Sequence, residues 1–147
     1  MKKSVLLFTF ILVLLMAGSF TGPYPNSPSI EGTWELESFY NYDGENVIDT
    51  IEKSDGYRQV KMYSKEKIMW TRYVPDEPNG RFGYGSYKVA DNSLVEVIEY
   101  GDDDMMKALD TMRNFTFELI LNEDSFSQIT VDADGNRTFS ENYKRID

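Results

Sequence analysis

From Ile30 onward, apolar and polar residues change places over short runs, not at the three-to-four spacing of helices. β-Branched and aromatic residues cluster at 33–42, 57–63, 67–74, 81–90, 93–100, 114–121, 125–132 and 138–146, and each cluster reads as a strand. Turn-forming residues separate them: Asp43-Gly44, Asp55-Gly56, Pro75 to Pro78, Asp91-Asn92, Glu123-Asp124 and Asp134-Gly135. Links this tight join neighbouring strands antiparallel, so the pattern predicts a meander. Eight strands with little helix to cover them hide their edges most economically by closing into a barrel. The predicted fold is therefore an all-β, eight-stranded antiparallel barrel.

Two segments depart from the alternation. Met105, Leu109 and Met112 fall at i, i+4 and i+7, which predicts one short helix near 103–113. Asp102, Asp103 and Asp104 precede it and suit an N-cap and the positive end of the helix dipole; calcium binding is the other reading of that acidic triplet. The stretch 45–55, with Val47, Ile48 and Ile51, fits either a short helix or an extended arm.

The N-terminus has a different character. Lys2 and Lys3 are followed by an apolar run, Val5 to Ala17, and then by the small residues Ala17, Gly18 and Ser19. That order is the layout of a secretory signal peptide over 1–19, with an uncleaved anchor as the alternative. Residues 20–30 hold three of the five prolines and read as a Pro/Ser-rich tether, leaving 31–147 as one domain. With no cysteine there is no lipid attachment site and no disulfide, so the core alone must hold the fold; its bulk comes from two tryptophans, ten tyrosines and nine phenylalanines, two of the phenylalanines lying in the signal region. Loss of Lys2 and Lys3 leaves 13 basic against 25 acidic residues, a net charge of −12. Such a surface repels phosphate backbones and anionic membranes, and no membrane span is expected in the mature form.

Charge and composition also restrict the chemistry. The absence of histidine and cysteine removes the usual general base, the Ser–His and Cys–His nucleophiles, His/Cys metal sites and His-ligated haem. No cofactor or metal is expected, and no enzymatic activity. Glu96, Glu99, Glu118 and Glu141 lie in strands where a facing pair would do acid–base work, but alternation is expected to turn all four to solvent. Asp132 to Asn136 reads as a hairpin turn, and the glycines of Phe82-Gly83-Tyr84-Gly85 as points where a barrel bends or backbones approach. Trp70 and Arg72 share a strand face, Arg58 shares one with Val60 and Met62, and Phe115, Phe117, Leu119 and Leu121 form an apolar face. Arg58, Trp70, Arg72 and Phe117 are thus the candidate ligand-binding residues, suited to an apolar molecule with a carboxylate head. The alternatives are a filled interior serving as a structural or interaction module, and an enzyme built on carboxylates or tyrosines.

Gly32-Thr33-Trp34 at the opening of the first strand, the meander after it and Arg145 in Tyr143-Lys144-Arg145 resemble the lipocalin superfamily. More closely, the chain is similar to short lipocalin-like proteins exported by Bacteroidetes-type bacteria. The resemblance covers 31–147 and implies a non-enzymatic binding protein for a small, partly apolar ligand. It also implies that Trp34 plugs the closed end of the barrel behind Gly32, with Arg145 packed across the indole in a cation–π contact of about 0.5–2 kcal/mol. The predicted helix lies between the fifth and sixth predicted strands, whereas lipocalins usually carry theirs after the last.

Overall fold

The computed structural model describes residues 28–147. The signal-peptide region and most of the expected tether lie outside the described residues. Among those residues no helix is long and apolar enough to cross a membrane.

Nine antiparallel strands form one ring-like sheet. They are β1 (Gly32–Gly44), β2 (Val47–Glu52), β3 (Arg58–Ser64), β4 (Lys67–Tyr73), β5 (Arg81–Ala90), β6 (Ser93–Gly101), β7 (Asn114–Leu121), β8 (Ser125–Val131) and β9 (Arg137–Arg145), with one helix among the described residues, α1 (Asp103–Leu109), between β6 and β7. The order is β2-β1-β3-β4-β5-β6-β7-β8-β9, and β1 pairs again with β9 to close the ring. The eight predicted strands are present, and the ambiguous stretch is the ninth, β2.

β1 explains how the ninth strand fits. Its first residues, Gly32 to Glu35, pair with β3, whereas Ser38 to Tyr42 pair on the same edge with β2. β9 follows the opposite edge along almost its whole length. β2 therefore lies outside the closed ring with every residue exposed, Ile48 at 64% of its free surface. Its β-branched residues suit an extended strand whether or not they are buried, so periodicity alone left it undecided.

Asp102 caps α1 by accepting hydrogen bonds from the backbone N–H groups of Asp104 and Met105. Leu109 is buried and Met105 packs on the core. The helix stops at Leu109, so Met112 is not on its inner face and is exposed.

The core gathers at one end of the ring. Trp34, Leu36, Ile68, Leu94 and Phe126 are all but inaccessible there. The Trp34 ring meets Phe126 edge-on at 5.0 Å, and Phe126 stacks on Tyr143 at 4.6 Å. Trp34 Nε1 donates to the Ile30 carbonyl at 2.7 Å. Arg145 lies 4.1 Å over the Trp34 ring and donates to the carbonyls of Ser29, Glu31 and Glu123. Gly32 has φ +136, and a Cβ there would collide with the Arg145 guanidinium. Ser29 and Ile30, at the end of the expected tether, thus pack against the domain.

Candidate functional site

The other half of the interior is polar. In β3 the inward residues are Gln59, Lys61 and Tyr63, while Val60 and Met62 face outward. β4 contributes Trp70 and Arg72, β6 Glu96 and Ile98, β7 Phe115 and Phe117, β8 Gln128, and β9 Glu141. Together with Arg81 and with Met105 of α1 they line a cavity of about 230 Å³. Gly83 helps to make the room: it pairs with Trp70, and a Cβ there would come within 2.5 Å of the indole nitrogen. Gly85 sits at an irregularity in the β5–β6 pairing, where a side chain would strike the β6 backbone.

A hydrogen-bonded chain organises the cavity wall. Lys61 Nζ donates to Glu96 at 2.8 and 3.1 Å and to Gln128 Oε1 at 2.6 Å, using all three ammonium donors. The Tyr63 hydroxyl also donates to Glu96. Gln128 Nε2 donates to Glu141 Oε2 at 2.8 Å, and the Tyr143 hydroxyl donates to the same oxygen at 2.6 Å. Gln59 Nε2 donates to the Tyr143 oxygen, and Tyr57 donates to Gln59 Oε1, each at 2.6 Å. Burial, reinforced by the facing carboxylates Glu96 and Glu141, pushes the Tyr63 and Tyr143 hydroxyls well above the ordinary tyrosine range. Both therefore remain neutral donors at any physiological pH.

At the cavity margin, Arg81 Nε donates to Asp102 at 2.9 Å, and the same carboxylate accepts the Phe82 N–H. Partial burial opposes ionisation of Asp102. The N–H donors from Phe82, Met105 and Asp104, together with Arg81, outweigh that and hold its carboxyl below the ordinary range. Arg72 differs from these neighbours. Its Nε is buried with no hydrogen-bond partner, and no carboxylate pairs with it among the described residues.

Of the predicted site residues, the structure brings Trp70, Arg72 and Phe117 to one cavity. It places Arg58 elsewhere. Arg58 lies on the outer surface, its side chain 62% exposed, with Nε 3.1 Å from Glu35. The strand alternation that puts Gln59 and Lys61 inside necessarily turns Arg58 out. The four strand glutamates also divide. Glu99 pairs with Lys67 and Glu118 with Arg137, toward the outside, as expected. Glu96 and Glu141 instead line the cavity, contrary to the expectation that all four face solvent. Reasoning from the strand pattern also missed Gln59, Lys61 and Gln128. The usable signal was Gln59-x-Lys61-x-Tyr63, an alternation whose aromatic member marks the inner face.

Two solved structures share this arrangement of strands. A lipocalin-like protein from Bacteroides uniformis ATCC 8492 superposes with a TM-score of 0.56 at 15% identity, covering 79% of this chain and 97% of that one. The fold is lipocalin-like. An uncharacterized protein from Bacteroides eggerthii DSM 20697 superposes with a TM-score of 0.52 at 13% identity, over 80% of this chain and 100% of the other. No protein-family model and no curated protein matches the chain. In this lipocalin-like fold the sealed end is the one built on Trp34, and the cavity lies beyond it, beside β4, β5 and α1.

Proposed function

We propose that this lipocalin-like protein is an exported, non-enzymatic binding protein for a small, partly apolar molecule with an acidic group. The observation that carries the reading is the unpartnered Nε of Arg72, buried beside Trp70 in the cavity wall. An unsatisfied buried donor costs about 1–3 kcal/mol, and a carboxylate seated on the Arg72 guanidinium would offset that cost with a charge-assisted bond. Trp70, Phe115 and Phe117 offer apolar surface, each Å² of which contributes roughly 25 cal/mol when covered. A volume of about 230 Å³ is the share of roughly eight waters, so the fit is to a compact body, not a long acyl chain. The Lys2-to-Ser19 layout supports export, and an intact mass beginning near Phe20 in protein recovered from its host is the expected outcome.

The test is a titration of 3-phenylpropionate against 3-phenylpropan-1-ol, followed by tryptophan fluorescence. The acid should bind more tightly to the wild type. Arg72→Gln should bring the two affinities together, and Arg58→Gln, on the outer surface, should leave them apart. If the wild type binds both compounds without preferring the acid, or binds no acid-bearing probe at millimolar concentration, the reading is wrong. A second reading, an interaction module, then takes its place. It is favoured by the outer face of β3 to β6, where Met62, Met69, Tyr84 and Tyr100 pair in a continuous row and all but Tyr84 count among the exposed large apolar residues.

A further inference from the structure

An acid on Arg72 leaves one charge of the cavity unanswered. Lys61 is taken up by Glu96, and Arg81 by Asp102. Glu141 is the remaining carboxylate. It uses Oε2 for both of its hydrogen bonds, from Gln128 and Tyr143, whereas Oε1 has no partner and no Lys or Arg pairs with Glu141 among the described residues. β4, which carries Arg72, and β9, which carries Glu141, are separated around the ring by β3 and β1, so the two side chains enter the cavity from different walls. The Tyr57–Gln59–Tyr143 chain runs between them. Tyr57 responds to both ends: burial raises its pKa, Arg72 lowers it and Glu141 raises it again. The cavity therefore holds one cation and one anion with no salt-bridge partner among the described residues, both close enough to act on a single hydroxyl.

We propose that the ligand is a zwitterion, with its acid on Arg72, a protonated amine on Glu141 and an apolar body against Trp70 and Phe117. This rests on the reading above that the cavity takes an acid-bearing molecule. A simple anion would satisfy Arg72 while bringing a second negative charge toward Glu141, inside a protein whose net charge is already −10. An added ammonium turns that repulsion into a charge-assisted hydrogen bond to Oε1 and makes the ligand neutral overall. The class is thus an amino acid or an amino-acid-like amphiphile of about the size of a single aromatic residue.

The experiment compares 3-phenylpropionate with two zwitterions of similar bulk: phenylalanine, with both charges on one carbon, and 4-(aminomethyl)phenylacetate, with the charges at opposite ends. In the wild type at least one zwitterion should bind tenfold or more tighter than 3-phenylpropionate. Glu141→Gln preserves the acceptor for Gln128 and Tyr143, and it should weaken that zwitterion while tightening 3-phenylpropionate. The proposal is overturned if neither zwitterion surpasses the acid in the wild type, or if Glu141→Gln shifts acid and zwitterion in the same direction. Should the variant fail to fold, the wild-type ranking decides. Arg72-dependent binding of the acid without a zwitterion preference would overturn this inference alone. Failure of every probe would overturn the acid-binding reading as well.

Discussion

The two halves of the interior are built from the same strands but solve different problems. At the sealed end, Trp34, Phe126 and Leu36 are packed with almost no access to solvent, and the Trp34 indole N–H has a carbonyl partner. Arg145 covers the outside of that end with its guanidinium bonded to three backbone carbonyls. In the cavity, a buried lysine, two glutamates and two glutamines share a hydrogen-bonded chain, and the arginine at its margin keeps an orphaned donor. Two tyrosines join the halves. Tyr63 and Tyr143 place their rings against Phe126 and their hydroxyls on Glu96 and Glu141. The apolar body and polar tip of tyrosine suit such a boundary. The contrast separates what stabilises the domain from what is left available to a ligand.

Removing a large side chain from the sealed end should have the largest effect. Trp34→Ala is expected to destabilise by about 3–5 kcal/mol, because the surrounding rings can fill only part of the void. Arg145→Ala should cost less. Since Arg145 lies on the Trp34 ring, the double variant should cost less than the sum of the two, a coupling that denaturant melts of the four proteins would measure. Strict additivity would mean that the contact contributes nothing to stability.

Cutting the ion pair inside the polar half tests whether that half is equally indispensable. Lys61→Met leaves Glu96 buried without its cation, and a loss of about 3–5 kcal/mol is typical of such a change, the same range as for the tryptophan. The distinction comes from the paired variant. Lys61→Met with Glu96→Leu should recover most of the loss, whereas no second substitution of similar size restores Trp34→Ala. A double variant as unstable as the single one would show that the polar chain itself holds the fold, weakening the contrast between the halves.

The boundary tyrosines set the smallest effect. Their folded pKa values are raised above the unfolded value near 10, so the folded state retains protons that the unfolded state has released. Stability from these groups is complete below about pH 10 and declines above it, by at most about 1.4 kcal/mol per pH unit for each tyrosine. Melts between pH 9 and 11.5 would show the decline beginning near 10, and Tyr63→Phe should reduce its slope. A slope unchanged by that substitution would place the alkaline loss elsewhere in the molecule.

Much of the fold was legible in the residue pattern because a strand with one buried face must alternate, and Gly, Pro, Asn and Asp must punctuate it. Phe115, Phe117, Leu119 and Leu121 on β7 show this: they face inward as their spacing implies. Asp102 was legible as a cap because its chemistry is local. β3 shows where alternation stops informing. It specifies that Arg58, Val60 and Met62 share a face, but not which face is inside, and here the apolar set is the outer one. Hydrophobicity chooses the wrong side whenever a cavity wall is polar and an outer face is apolar.

The residues alone determined strand spacing, turn positions, the capped helix and the absence of histidine and cysteine chemistry, all of which depend on neighbours within a few positions. Only the tertiary structure decided that Glu96 and Glu141 converge with Lys61 and Gln128, and that Arg72 Nε is left without a hydrogen-bond partner. Those groups come from strands up to about 80 residues apart, such as β3 and β9. Their juxtaposition is set by ring closure between β1 and β9, a long-range pairing whose register no local pattern encodes.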